Sequence, residues 1–340
     1  MILNNRIVLF ICSSILILIG INKIVTLIGK DFKDGASIIC ESKREAVRSG
    51  TLHYDTNEIK VIFLGASDIL SGIIPSIFDS LSNNRISSVN LALPALPIGP
   101  NYFCLLDYLE KNSPPDYAII TLRLDDPSDR ALFDFYANQG IAFPRELLSY
   151  AIIRKDRNVI LNYLLPCNMY SSVLLKSLKT ILLSRSEIRN IRKRNSMLVE
   201  QMIEEKGYYF IKEQGKFPDG ILPDIYTNPD DAPDQYRPVG DLEDPYLHKF
   251  LKFTQQQQIE VLITNYPLRV NSNKPFERIP NELTNMCLEY PHVTLLTKSW
   301  ISDPYPNKLF SDPKHLNMDG AKHYTTQVYK EFEGTVKDFR

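Results

Sequence analysis

The sequence predicts an α/β protein built on a doubly wound, flavodoxin-like parallel sheet of five strands. Two observations lead to this fold class: short apolar runs have the length of buried strands, and helical patterns lie between the early ones. Such alternation implies parallel strands joined by right-handed crossovers. The predicted strands are Ile59–Leu64, Ser87–Leu91, Tyr117–Leu122, Ile259–Thr264 and Val293–Leu296.

Helices are predicted where apolar residues recur at helical spacing. Those of the sheet domain are Ile69–Leu81, Asn101–Lys111, Pro245–Gln257 and Asp319–Phe332, and Ala36–Ser49 precedes the domain.

A long interruption, from about 127 to 244, separates the third and fourth strands. Its first part contains helical candidates over 131–135, 145–157 and 171–184, and its later part is rich in proline and aspartate, which is typical of loops. We interpret it as an insertion that packs over one end of the sheet. Residues 58–340 are therefore predicted to form one α/β domain with this insertion.

The N-terminus carries an apolar run over residues 7–29, long enough for a membrane-spanning helix of about 20 residues if Asn22 and Lys23 are tolerated. We predict an uncleaved single-pass anchor over residues 1–30 and a polar connector over 31–57, with the main domain outside the cytoplasm. A cleaved signal peptide is the alternative, although no small-x-small cleavage site follows the run.

Charge and cysteine content exclude several classes of function. The net charge of −1 over 340 residues gives no reason to expect nucleic acid as a partner. The five cysteines are scattered without CxxC or metal-like spacing, so we expect no essential disulfide. No cluster of His, Cys and carboxylate residues argues for a metal, and no cofactor is expected. The one basic run, residues 185–194, is interpreted as a solvated helix face, or else as a contact for anionic lipid or an acidic glycan.

A possible catalytic set comes from two distant motifs. Ser67 follows the first strand on the turn Gly65-Ala66-Ser67, and Asp312 precedes His315 by three residues after the last strand. Because parallel strands place their carboxyl ends at one edge of the sheet, these residues are expected to share a cleft. Ser67 would attack an acyl carbonyl, His315 would move its proton, and Asp312 would orient the imidazole.

Structural interpretations of the same residues stay open at this stage. Ser67 could cap the helix that follows it. Asp312 could cap the last helix, and His315 could be a surface residue that packs on Tyr324.

Three segments together resemble the SGNH (GDSL-like) hydrolase superfamily: FLGAS at 63–67, VNLALPA at 89–95 and DPKHLNMDGA at 312–321. They are most similar to its membrane-anchored envelope branch, which includes polysaccharide O-acetyltransferases and D-alanine-transfer proteins. The resemblance covers about residues 58–125 and 245–332 and implies Ser67 as nucleophile, with Asp312 and His315 as the other triad members.

The chain departs from the family pattern at the expected oxyanion hole. Ala95 stands where the family has a glycine, and its N–H is retained. The third block is Arg123-Leu124-Asp125-Asp126 instead of Gly-x-Asn-Asp, and a carboxylate cannot donate unless protonated. The backbone at Ser67, with Ala95, Arg123 and Asp125, therefore forms the set of oxyanion or substrate-binding candidates.

The functional prediction is a membrane-anchored serine esterase or O-acyltransferase that acts on a cell-envelope polysaccharide. The resemblance implies a membrane-bound acyltransferase partner that delivers the acyl group. The alternative is a catalytically inactive binding or scaffold subunit of an envelope machine. A nucleotide-binding flavodoxin-like domain is disfavoured because the chain lacks a glycine-rich phosphate loop.

Overall fold

The computed structural model describes residues 5–29, 35–54, 59–94, 98–122, 142–153, 155, 183–209, 221, 242, 244–266, 269, 279, 281–301 and 303–336. The chain forms two units. One comprises Met1–Glu41 and Phe133–Leu198, and the other comprises Ser42–Leu132 and Val199–Arg340.

The second unit holds a five-stranded parallel sheet, which confirms the predicted α/β class and sheet. The strand order β2-β1-β3-β4-β5 is the flavodoxin-like order, and it reverses between β1 and β3, where such sheets open a crevice at their carboxyl ends. Each observed strand lies within one residue of its predicted ends. The strands are β1 Ile59–Leu64, β2 Ile86–Asn90, β3 Tyr117–Thr121, β4 Glu260–Thr264 and β5 Val293–Leu295.

The helices follow the predicted pattern closely. Along the described residues they are α1 Asn5–Gly29, α2 Gly35–Ser49, α3 Ser67–Gly72, α4 Pro75–Leu81, α5 Ile98–Leu109, α6 Pro144–Ile153, α7 Arg185–Glu204, α8 Pro245–Gln256, α9 Asn281–Glu289, α10 Thr297–Ile301 and α11 Met318–Thr335. In the sheet unit, α3 and α4 pack with α11, while α5 packs with α8.

The core of this unit is aromatic on the side of α4 and α11. Phe78 meets Phe63 of β1 edge-to-face at 5.1 Å between ring centroids, and Phe332 of α11 at 5.4 Å. Phe332 in turn meets Tyr117 of β3 at 5.2 Å. These contacts hold α11 against β3, and through Phe78 against β1. The loop that immediately precedes α11 is held in place by the same packing.

The single helix predicted over Ile69–Leu81 is wrong, because the chain forms two short helices there. Pro75 occupies the first turn of α4, where its missing N–H costs nothing. The residue before it, Ile74, is extended (φ −101°, ψ 105°), as steric conflict with the proline ring favours. The break ends α3 after six residues.

Part of the predicted insertion packs on the sheet domain. Asn90 N of β2 donates to Lys206 O at 2.9 Å, and Tyr209 N donates to Leu70 O of α3 at 3.1 Å. Gly207 allows this contact: its φ is +92°, and a Cβ there would lie 2.0 Å from Asn90 O. The helix predicted over 145–157 is α6, whereas that over 131–135, and nearly all of that over 171–184, lie outside the described residues.

The N-terminal run predicted to span a membrane, residues 7–29, lies in the 25-residue helix α1. No helix in the part of the chain that the structure describes is long and apolar enough to cross a bilayer. In the sequence, the polar pair Asn22–Lys23 interrupts the apolar run.

Candidate active site

A sharp turn at the end of β1 presents Ser67. Gly65 permits the turn, because a Cβ there would lie 2.5 Å from Thr121 Oγ1 and 2.8 Å from Ile69 Cγ1. Ser67 is the first residue of α3, and the N-cap is Ala66, which makes no side-chain capping bond. The alternative interpretation of Ser67 as the helix cap is therefore wrong, and its hydroxyl is available for another partner.

A hydrogen-bonded loop before α11 presents Asp312 and His315. Phe310 and Leu316 form an antiparallel bridge, and Ser311 N donates to His315 O at 2.8 Å. Inside the loop, Asp312 Oδ1 accepts the amides of Lys314 at 2.8 Å and His315 at 2.9 Å. The aspartate therefore folds the turn as well as facing the imidazole.

Asp312 does not cap the last helix, contrary to the structural alternative. Asn317 is the N-cap of α11, and its Oδ1 accepts the amide of Gly320 at 3.0 Å. The sequence Asn317-x-x-Gly320 thus starts the helix. Asp312 keeps its second carboxylate oxygen for His315.

The structure brings the three residues into one hydrogen-bonded chain across 248 positions of sequence. His315 Nε2 lies 2.9 Å from Ser67 Oγ, and His315 Nδ1 lies 2.8 Å from Asp312 Oδ2. Because a carboxylate only accepts, Nδ1 carries a proton, and in the neutral imidazole Nε2 then presents its lone pair to the serine hydroxyl. This is the arrangement in which a histidine can act as general base towards a serine.

Electrostatics keep Asp312 ionised. Burial acts to raise the pKa of the Asp312 carboxyl, but hydrogen bonds from the His315 ring and from the Lys314 and His315 amides outweigh it and hold the pKa below its usual value. At neutral pH the side chain is therefore a carboxylate, able to stabilise an imidazolium on His315.

Asn90 holds α3, the helix that begins at Ser67, a role that the sequence patterns did not indicate. Its Nδ2 donates to Ile69 O at 2.9 Å and Ile73 O at 3.0 Å, and its Oδ1 accepts Ala92 N at 3.1 Å. One fully buried side chain thus satisfies two carbonyls at the end of α3. The only signal in the sequence is a side-chain amide near the end of a short predicted strand.

Tyr266 positions the loop that carries His315 and was likewise missed. Its hydroxyl accepts the amide of Leu316 at 2.9 Å, and its ring meets Tyr324 edge-to-face at 5.9 Å. Burial raises the pKa of the Tyr266 phenol, and the charge of Asp68 raises it further, so the hydroxyl stays protonated at neutral pH. Two residues past β4, Tyr266 lies at the carboxyl edge where the fold class places functional residues.

The other predicted oxyanion residues, Ala95, Arg123 and Asp125, lie outside the described residues. The remaining candidate, the backbone at Ser67, is described and lies at the start of α3. Because the first N–H groups of a helix have no intrahelical acceptor, the N–H of Ser67 is suited to an oxyanion.

Two further features lie away from this set. A cavity of about 700 Å³ is lined by residues of α10, α11 and the segment between Asp303 and Leu309, among them Tyr305, and it includes none of Ser67, Asp312 and His315. Within the described residues, His, Cys and carboxylate side chains form no group of three that could hold a metal ion.

Comparison with known proteins gives no family for this chain. No protein-family model matches it, and no curated protein sequence matches it. The resemblance to SGNH hydrolases therefore stays a prediction, and the functional argument depends on the geometry of Ser67, His315 and Asp312.

Proposed function

We propose that the protein is a serine esterase or O-acyltransferase of the SGNH type. The observation that carries the proposal is the hydrogen-bonded chain from Ser67 Oγ through His315 to Asp312, with separations of 2.9 and 2.8 Å. The structural alternatives for these residues do not hold, which favours the proposal. Ser67 caps no helix, and Asn317, not Asp312, caps the last helix.

The reaction would proceed in two acyl transfers. Ser67 Oγ attacks the ester carbonyl while His315 Nε2 takes the hydroxyl proton, and the imidazolium then protonates the departing alcohol. This first transfer leaves the acyl group on Ser67 Oγ. In the second, water or a sugar hydroxyl loses its proton to Nε2 and attacks the acyl-serine, which forms a tetrahedral intermediate. Collapse of the tetrahedral intermediate returns the proton to Ser67 Oγ and releases an acid or a new ester.

The substrate class is the expectation drawn from the resemblance: an acylated cell-envelope polysaccharide or a carrier that delivers the acyl group, with a membrane-bound acyltransferase as partner. Transfer instead of hydrolysis requires that water be kept from the acyl-serine. Attachment to a membrane through α1, with the domain outside the cytoplasm, also stays a proposal. The exposed apolar side chains of that helix favour it, among them Leu9, Phe10, Leu16 and Ile17.

A binding or scaffold subunit is the second candidate. The observation that favours it is Arg123-Leu124-Asp125-Asp126 at the block where the resembling family has an asparagine donor. Such a protein would keep the fold and lack an activated serine.

Labelling with a fluorophosphonate tests the first candidate against the second. The full chain would be purified in mild detergent and compared with Ser67→Ala, His315→Ala and the control Ser80→Ala, an exposed serine of α4. We expect labelling of the parent and of Ser80→Ala only. A folded parent protein that fails to label would exclude the enzyme and favour the binding subunit.

A further inference from the structure

The connector predicted over 31–57 supplies a buried cation to the sheet domain. Lys43 of α2 is fully buried, and its Nζ donates to Ala92 O at 2.7 Å. Burial of an ammonium group is costly unless strong hydrogen bonds compensate. The bond to Ala92 O therefore ties α2 to the segment that follows β2.

Its acceptor belongs to a peptide group that contacts the nucleophile turn. The carbonyl of Ala92 and the amide of Leu93 are the two ends of one planar peptide unit. The carbonyl accepts Lys43 Nζ, and the amide donates to Gly65 O at 3.1 Å. Gly65 lies two residues before Ser67, so a short path of hydrogen bonds joins Lys43 to the turn.

The other hydrogen bonds that the described residues make around this peptide come from uncharged groups. Leu91 N donates to Phe63 O at 2.8 Å, and Ala92 N donates to Asn90 Oδ1 at 3.1 Å. On the far side of the turn, Gly65 N donates to Asn101 Oδ1 at 3.3 Å. Lys43 is thus the charged donor at this junction, and a cation on the carbonyl polarises the peptide and strengthens the bond from its N–H.

We propose that Lys43 is a positioning residue for the nucleophile: through the Ala92–Leu93 peptide it fixes Gly65, and so the placement of Ser67 Oγ against His315 Nε2. The inference rests on the proposed function, since it concerns the reactivity of Ser67. It gives the connector helix a part in the chemistry as well as in the fold.

A matched pair of variants separates positioning from stability. Lys43→Met keeps the length of the stem and removes the charge and the donor. Arg44 is the next residue of α2. The variant Arg44→Met instead removes an ion pair with Asp107 of α5, which is not part of the nucleophile turn. Both changes are expected to lower the Tm. Only Lys43→Met is expected to slow serine labelling, by about 10- to 100-fold, because small misplacements of a nucleophile have effects of this size.

The measurement is the second-order rate of fluorophosphonate labelling, at a temperature where all variants are folded by circular dichroism. Equal slowing by the two variants, or none by Lys43→Met, would overturn the inference while leaving Ser67 an activated serine. If the parent protein itself fails to label, the proposed function fails instead. Should Lys43→Met not fold, Lys43→Gln removes the charge and keeps an N–H donor, and labelling at the parent rate would refute the role that the inference gives to the charge.

Discussion

Replacing Tyr266 with phenylalanine tests how much one hydrogen bond supports the loop that carries His315. The change deletes one oxygen and retains the ring that packs against Tyr324. The lost hydroxyl is the acceptor for Leu316 N at 2.9 Å, and Leu316 is fully buried. An N–H left without an acceptor in this position carries the desolvation cost of an unpaired polar group, which is about 1–3 kcal/mol.

The same bond determines where His315 lies, since Leu316 is its immediate neighbour. We therefore expect two effects of Tyr266→Phe. The free energy of unfolding falls by about 1–3 kcal/mol in denaturant titration. The rate of serine labelling falls by about 10-fold or more, because the loop loses one anchor beside the base.

Tyr329→Phe provides the matched control. Tyr329 is buried against Phe78, but its hydroxyl donates to the exposed Glu333 one turn along α11 at 3.2 Å. Water can replace this bond and the phenylalanine ring keeps the packing, so a change within about 0.5 kcal/mol and an unaltered labelling rate are expected. Parent-like stability and labelling in Tyr266→Phe would refute the argument, because they would show that the bond to Leu316 N neither stabilises the loop nor positions His315.

Two further predictions concern the acid and the turn. The pKa of Asp312 is lower in the folded protein than in the unfolded chain, so its contribution to stability is present above the unfolded value and is lost as pH falls through the folded one. Asp312→Asn should therefore flatten the dependence of the unfolding free energy on pH below about 4. It should also reduce the rate of labelling at pH 7 by about 10⁴-fold. An unchanged dependence of the unfolding free energy on acidic pH would contradict the lowered pKa of Asp312. Gly65→Ala should cost about 1–3 kcal/mol, because its Cβ meets Thr121 Oγ1 at 2.5 Å. Thr121→Ala in that background should recover part of the loss, whereas no recovery would argue against the contact.

Strands β1, β3 and β4 were predictable because each is a short, mainly apolar run whose central residues are buried on both faces of a parallel sheet. Strand β2 is also buried throughout, although Ser87, Ser88 and Asn90 make its sequence largely polar. Local sequence also indicated the last helix, where Asp319 and the following apolar spacing mark its beginning. The break between α3 and α4 was missed although Pro75 signals it, because the apolar pattern continues across the proline.

The approach of Ser67 to His315 followed from a topological rule and not from local patterns. Parallel strands bring their carboxyl ends to one edge, so residues after β1 and after β5 could be predicted to lie on the same side of the sheet. That rule gives no distances. The 2.9 Å contact depends on the bridge between Phe310 and Leu316 and on Tyr266, neither of which has a signature in the sequence.

The sequence by itself determined the α/β class, the five strands and the identity of a serine, a histidine and an aspartate that could act together. These depend on residue type and on short-range periodicity, which a linear pattern contains. Only the tertiary structure decided which groups hold them. These are Asn90, which donates to carbonyls of α3, Tyr266, which accepts an amide of the loop that carries His315, and Lys43, which donates to the peptide beside Gly65. Hydrogen bonds between residues about 20 to 50 positions apart leave no repeating pattern in the sequence. They form only once the sheet has set the distances between strands and helices.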